Sequence, residues 1–381
     1  MRKKLAVVFF LGLAVSAVCA QQRQSSLVSE YPWQLLEQGQ LAFERGEFGE
    51  ALLLVARARD LRKNQVNAQY DYLFSALKSY QVRAAGDLIA EVYRVLEKRQ
   101  DYEACAILDR IFLIHPPAYF DKSMNALMTW FKKSDVYPEC DYLIGKIYEL
   151  EGEYDQSFRY YHMAWEAQDF LYIPDMRFEI IYALSRISGL LKKYDEQEKY
   201  LLLVLTEDPL YGTTNMESAT LRSMIHTIKN EKTIEKFFSL YRHHNDLALR
   251  AYTGLTEIYL RAGEYDRAFR TAILGTGIAV TYLSDTLKQT DFTYKYTDFS
   301  DLLLRVGANS TIVQWTEAKK IWDVFLLFAD LLYRQGLVPQ ANDLYYKLAE
   351  NCPSFEHAKE AAYKLSALLN GSAGSSSGAL P

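Results

Sequence analysis

The chain has 381 residues, of which 50% are hydrophobic and 24% are charged, a composition typical of a folded, water-soluble protein. Its net charge of −5 provides no basic field for nucleic acid, and no block of like charge suggests a membrane-surface patch. Length alone would allow two ordinary domains. Length does not predict the number of domains in a chain of structural repeats, because each repeat packs only on its neighbours.

The first 20 residues have the pattern of an export signal. Basic residues at 2–4 precede an apolar run over 5–18, and a small-residue pattern ends at Ala20. The run is shorter than the about 20 residues that a membrane helix needs. We expect cleavage after Ala20 and a periplasmic or secreted protein, with residues 21–31 as a linker. Lipidation at Cys19, which would make a membrane-anchored lipoprotein, is the alternative that the sequence leaves open.

A glycine-led signal for a helical hairpin recurs along the chain. It first reads Gly46-Glu47-Phe48-Gly49-Glu50-Ala51. It returns at 152–157 and 263–268 and, more loosely, at 336–341, and a copy without the glycine lies at 192–197. Each copy is predicted to end one helix, turn tightly and begin the next. The recurrence therefore predicts a stack of helical pairs.

The clearest repeat runs from about residue 141 to residue 168. Small residues at Gly145 and Ser157 are expected where its two helices cross, since larger side chains would push the helices apart. Gly152 suits the left-handed turn that ends the first helix. The spacing of these and neighbouring residues resembles the tetratricopeptide repeat family, in the order Ile144, Gly145, Tyr148, Gly152, Tyr154, Tyr161 and Ala164.

That resemblance implies an all-α fold, a right-handed α-α superhelix (a solenoid) of such hairpins. It covers residues 32–277 and a C-terminal hairpin with a capping helix over 322–368. Residues 278–321 do not fit the repeat and are expected to form an atypical repeat or an insertion. The Gly/Ser-rich tail over 369–381 is predicted to be disordered.

Weaker helices with the right apolar period fill the gaps between the glycine-led hairpins. In the first gap they are predicted at 69–79, 88–99, 102–114 and 124–133, and a weak pair follows at 218–229 and 233–243. Even pairing along the chain makes 102–114 the first helix of a pair, although Tyr102, Ala104 and Cys105 resemble a second helix. We favour even pairing, because helices in a stack must alternate between faces.

No catalytic motif, nucleotide-binding loop or zinc spacing occurs in the sequence, so the chain is expected to be a non-enzyme without cofactor or metal. His243 and His244, with Asp246, form the one histidine cluster. Neighbouring residues on a helix point about 100° apart, so these two rings are not expected to converge on a metal. Cysteines 105, 140 and 352 are expected to pack as small apolar residues. A Cys105–Cys140 disulfide is the alternative.

In the family that the chain resembles, the first helix of each pair lines a concave surface that binds peptides. The matching positions here are Tyr142, Lys146, Glu149, Tyr182, Arg186, Thr253 and Glu257. Their mixture of rings and charges of both signs suits a protein or peptide ligand. We therefore expect an exported scaffold that binds a protein or peptide partner of the cell envelope, with no nucleic acid and no transmembrane segment in the mature chain. A ligand-binding or transporter-accessory repeat protein is the alternative.

Overall fold

The structure is a computed structural model of the chain, and it describes residues 31–77, 85–120, 124–211 and 218–375. Over these residues the chain is all-helical and contains no strand, which confirms that the fold is all-α. The chain divides into two compact units, residues 1–180 and 181–381. The predicted signal over 1–20, including Cys19, and the linker up to residue 30 lie outside the described residues.

Two of the connections between helices of the first unit contain 3₁₀ helices, at Pro117–Phe120 and Gln168–Phe170. The α-helices of this unit are α1 (Pro32–Glu44), α2 (Phe48–Leu77), α3 (Ala85–Lys98), α4 (Tyr102–Ile114), α5 (Met124–Lys133), α6 (Pro138–Leu150) and α7 (Tyr154–Glu166).

Helix α8 (Met176–Leu190) contains the residue at which the two units divide, and the remaining helices belong to the second unit. These are α9 (Tyr194–Leu205), α10 (Ala219–Asn230), α11 (Glu235–Leu240), α12 (Asp246–Ala262), α13 (Tyr265–Thr290), α14 (Phe299–Gly307), α15 (Ser310–Ala318), α16 (Ile321–Arg334), α17 (Val338–Asn351) and α18 (Phe355–Ser375).

Six of the helix-to-helix turns share one geometry. A residue with positive φ ends the first helix, and the next amide donates to the carbonyl five residues earlier at 2.8–3.1 Å. This bond satisfies a carbonyl that the helix end would otherwise leave unpaired. The residues with positive φ are Gly46, Gln100, Gly152, Lys192, Gly263 and Gly336. The predicted glycine turns are thus confirmed, and Lys192 adopts the same conformation at a φ of 59°.

The two helices of the α6–α7 hairpin approach closely at Gly145. A Cβ atom at this position would lie 2.6 Å from Cδ1 of Tyr161, which is closer than real Cβ contacts. The Ser157 hydroxyl donates to the Gly145 carbonyl at 2.9 Å, and Ser157 is completely buried. The predicted crossing of small residues is therefore present, with the tyrosine ring lying against the glycine.

Helix α2 is longer than the sequence predicted. The expected separate helix beginning at residue 69 is wrong, because α2 continues without a break to Leu77. No glycine or proline interrupts residues 59–68, and one face stays buried along the whole helix. Two polar residues, Arg62 and Gln69, occupy positions on that face. They interrupt the helical spacing of apolar residues that would identify the face in the sequence.

The predicted even pairing is also wrong, because the long α2 replaces two expected helices. Helix α3 packs against α4 through the left-handed turn at Gln100, so α4 is the second helix of its pair. The first hairpin packs directly on α6, through both α1 and α2. Helices α3, α4 and α5 instead surround the second half of α2, and they share a core with Val66, Leu73 and Leu77.

The second unit follows the same plan. Second helices pack on the first helices of later hairpins, α9 on α12 and α13 on α16. Helix α10 packs on α13, and α14 packs on α13 and α17. Phenylalanine rings fill the space between these elements, with Phe238 at 4.8 Å from Phe299 and Phe299 at 4.9 Å from Phe325 between ring centroids.

Two predicted boundaries differ from the helices observed. The expected start of the atypical region at residue 278 falls inside α13, which continues to Thr290 before a connection leads to α14 and α15. The tail predicted to be disordered from residue 369 is helical as far as Ser375, because α18 continues to that point. Residues 376–381 lie outside the described residues. Among the described helices, none combines the length and apolar character that spanning a membrane requires.

The close approach at Gly145 predicts a local stability effect. Gly145→Val should lower the free energy of unfolding by about 1–3 kcal/mol, because the added side chain must displace the Tyr161 ring. Gly49→Val is the matched control, since a Cβ at helical Gly49 meets nothing within 4 Å. Thermal and denaturant unfolding followed by circular dichroism would measure both variants. Equal stability of the two variants would contradict the packing described.

Candidate functional site

The predicted binding residues of the first unit lie on the first helices of two hairpins. Helix α6 carries Tyr142 and Lys146, and α1 contributes Phe43. The Lys146 ammonium lies 4.6 Å from the ring centroid of Phe43 and 5.8 Å from that of Tyr142. All three residues are half-buried. The structure thus brings α1 and α6 side by side, with two rings and a cation on a common surface.

Glu149, also predicted to line this surface, belongs to the hairpin that carries it. The Tyr161 hydroxyl donates to Glu149 Oε2 at 2.7 Å, and Glu149 is half-buried. The carboxylate therefore anchors the buried tyrosine ring of α7 to the end of α6. Its second role, as a contact for a partner, remains a prediction.

Tyr182 differs from its predicted role. It is only 5% exposed, and its hydroxyl donates to the backbone carbonyl of Leu247. The guanidinium of Arg250 covers the ring at 4.1 Å from its centroid. Because Tyr182 packs between α8 and α12, it is not available as a contact in an open groove. Arg250 takes the exposed position above it, which spacing within one repeat could not predict.

The other predicted residues of the second unit are more accessible. Arg186 on α8 and Glu257 on α12 are exposed, and Thr253 is half-buried with its hydroxyl donating to the Leu249 carbonyl at 2.9 Å. Arg186 and Glu257 therefore present opposite charges on the first helices of the second unit.

The histidine pair lies in the turn between α11 and α12, and its two rings reach different carboxylates. His243 Nε2 lies 3.1 Å from Asp208 Oδ1, whereas His244 Nδ1 lies 3.1 Å from Asp285 Oδ2. The two rings diverge as predicted, although the pair lies in a turn and not on the expected helix; among the described residues no ion pair joins Asp246 to either ring. Within the described part of the chain, no group of three histidine, cysteine or acidic residues is placed to hold a metal.

Asp208 is the centre of a buried polar network that sequence reasoning missed. Tyr252 donates its hydroxyl to Asp208 Oδ2 at 2.9 Å, and the Leu210 amide donates to Oδ1 at 2.8 Å. Burial opposes ionisation of Asp208, but the hydrogen bonds from His243, Leu210 and Tyr252 outweigh it and lower its pKa. Asp208, His243 and Tyr252 are each at most 5% exposed. The network therefore links the segment after α9 to α12 and to the turn before α12.

The three described cysteines are free thiols, so the possible Cys105–Cys140 disulfide does not form. Cys140 is buried, and Cys105 and Cys352 are half-buried. Burial raises the pKa of Cys352 to about 12, which leaves its thiol protonated and unreactive at neutral pH.

The lowered pKa of Asp208 predicts a pH-dependent contribution to stability. The folded protein holds this carboxylate ionised, so its stabilisation is present above the ordinary aspartate pKa and is lost as the pH falls through the lower folded value. Asp208→Asn should cost about 1.5–3 kcal/mol at pH 7, as expected for hydrogen bonds to a charged group.

The difference in unfolding free energy between the wild type and Asp208→Asn should shrink between pH 5 and pH 3. Denaturant titrations over this range would measure it. The half-buried Asp135 in the first unit offers the control variant Asp135→Asn. A difference that stays constant with pH would contradict the assignment of an ionised buried carboxylate.

No protein-family model matches the chain. A protein of Treponema pallidum (strain Nichols), described as an uncharacterized protein, is 46% identical over 340 residues. The alignment covers 89% of this chain and 91% of the Treponema protein, so the two are related along almost their whole lengths. The chain therefore belongs to the same protein family as this Treponema pallidum protein.

Proposed function

We propose that the protein is an exported, non-enzymatic repeat scaffold that binds a protein or peptide partner in the cell envelope. Its hairpins would form a right-handed superhelix of tetratricopeptide type. Six turns of one geometry, and the close helix crossing at Gly145, support this proposal. The single observation that carries the binding role is the surface of Phe43, Tyr142 and Lys146 on adjacent first helices.

This surface has the chemistry of a peptide-binding patch. Its rings offer apolar area at low entropic cost, and the ammonium of Lys146 can pair with a carboxylate of the partner. A cation above an aromatic ring contributes about 0.5–1 kcal/mol at an exposed site. Several such contacts, supplied by successive hairpins, are needed for useful affinity, and that requirement suits an extended partner.

A second candidate function is that of a ligand-binding or transporter-accessory repeat protein, anchored through a lipid at Cys19. A cavity of about 490 Å³ in the first unit favours it. The cavity lies at the C-terminal ends of α5 and α7, and none of Phe43, Tyr142 and Lys146 lines it.

The N-terminus of the mature protein distinguishes the two locations. We expect cleavage after Ala20, which leaves Gln21 as the first residue of a soluble, exported protein. Intact-mass spectrometry of the protein from its native membrane and soluble fractions would measure this. A diacylated or triacylated species beginning at Cys19 would contradict it and favour the lipoprotein.

The surface on α1 and α6 can be tested by partner capture. A Tyr142→Ala/Lys146→Glu variant should lose its partner, because it removes a ring and reverses the charge above Phe43. We expect at least about a fivefold loss of affinity, which corresponds to about 1 kcal/mol. Partners would be captured from envelope extracts, identified by mass spectrometry, purified and measured by titration.

Lys63→Glu is the matched control for this experiment. It makes the same charge reversal at an exposed residue of α2, which is a second helix. Equal affinity of the double variant and the control for the purified partner would count against the proposed surface.

A further inference from the structure

A cavity in the first unit has the size of a ligand site. It is open to solvent and has a volume of about 490 Å³, within the range of about 300–1,000 Å³ that is usual for small-molecule pockets. It is formed where α5 and α7 end, together with the segment 134–137 and the 3₁₀ turn Gln168–Phe170. Helix C-termini carry partial negative charge, so two of them at one cavity favour a cation.

Aromatic and apolar side chains form part of the cavity wall. Trp130 and Phe170 line it with ring centroids 6.1 Å apart, and Met163 lies beside them. The Lys133 ammonium is 4.6 Å from the Trp130 ring centroid. The protein thus places one of its own cations over the indole, and an external cation would find the same attractive face.

Acidic residues outnumber basic ones around the cavity. Asp135, Glu166 and Asp169 line it, and Lys133 is the lysine among the lining residues. His162 lies 3.6 Å from Glu166, and in the described part of the chain no ion pair reaches Asp135 or Asp169. The cavity therefore carries more negative charge than its own lysine neutralises.

Asp141 is a fourth carboxylate at the cavity, and it is nearly buried. The residue is 4% exposed and lines the cavity, and Arg59 donates to its Oδ1 at 2.9 Å. Among the described residues, no hydrogen bond reaches Oδ2. Burial raises the pKa of Asp141 although Arg59 acts to lower it, so one arginine does not fully compensate this carboxylate. The Oδ2 atom can therefore accept a further hydrogen bond from a group in the cavity.

We propose that this cavity binds an organic cation with a guanidinium or primary ammonium group. The charged group would lie against Trp130 and the carboxylates, where it can donate to Asp141 Oδ2. A free small molecule and a basic side chain of a peptide share this chemistry. The inference does not depend on the proposed scaffold function, since the cavity and the surface of Phe43, Tyr142 and Lys146 consist of different residues.

Binding would be measured by calorimetry and by the change in intrinsic tryptophan fluorescence with three probes. These are agmatine, a capped Gly-Arg-Gly peptide, and the same peptide with neutral citrulline in place of arginine. We expect saturable binding of agmatine or of the arginine peptide, and none of the citrulline peptide. Tighter agmatine binding would identify a small-molecule site, whereas tighter binding of the arginine peptide would identify a site for a protein side chain.

Two neighbouring lysines provide a matched pair of variants. Lys133→Gln should tighten cation binding by about two- to fivefold, because it removes the ammonium that competes for Trp130. Lys132→Gln should leave the affinity unchanged. Both lysines are exposed and occupy the last turn of α5, but Lys132 lies over Tyr70 at 5.3 Å from the ring centroid. An equal gain in affinity in both variants would mean that net charge alone causes the effect, and it would overturn the proposal.

The acidic residues give the opposite test. An Asp135→Asn/Asp169→Asn variant should weaken cation binding by about two- to fivefold for each charge removed, while its circular dichroism spectrum stays that of the wild type. No saturable binding of either cation by the wild type and by Lys133→Gln, or equal binding of the citrulline peptide, would overturn the proposal.

Discussion

Five of the six hairpins with a left-handed turn depend on close approach of their two helices at a small residue. This residue lies seven positions before the left-handed turn residue: Gly39, Gly145, Ser185, Thr256 and Ala329. All five are buried, and a Cβ atom on Gly39 would lie 2.5 Å from Cγ2 of Val55. Since a wider separation would leave voids along the whole interface, these positions set the distance at which every other side chain of the hairpin packs.

Glycine at the left-handed turns made most hairpins predictable from the sequence. The turn at Gln100 was missed because it has no glycine. Gln100 takes the left-handed conformation without being glycine, which costs roughly 1–2 kcal/mol and leaves no signal in the sequence. The wrong prediction of even helix pairing has a different origin. Arg62 and Gln69 lie on the buried face of α2, where Arg62 donates to the Tyr172 hydroxyl at 3.1 Å and Gln69 donates to Asp101 at 2.8 Å. Those partners lie 110 and 32 residues away, so a local pattern could not identify either residue as buried.

The same limit applies to the tyrosines of the candidate site. Tyr161, Tyr259 and Tyr345 are buried between helices. Their hydroxyls donate to carboxylates of other helices, and burial together with these carboxylates raises the tyrosine pKa of Tyr259 and Tyr345. Repeat spacing does not identify the carboxylate that accepts from each hydroxyl. It lies in the same hairpin for Tyr161 and Tyr345, and in an earlier hairpin for Tyr259. Tyr182 was wrongly predicted to line an open groove for the same reason, because Leu247 and Arg250 of α12 contact it.

Helix α6 carries residues of both sites proposed in the first unit. Consecutive residues on a helix point about 100° apart, so Asp141 and Tyr142 face different surroundings. Asp141 lines the cavity beside α5 and α7, and Tyr142 lies on the surface that α6 shares with α1. Because α3, α4 and α5 pack around the overhanging half of α2, they bring Trp130 and Lys133 to the start of α6 without separating α6 from α1. The long α2 thus gives α5 a surface on which to pack beside α6, and α5 in turn forms part of the pocket wall.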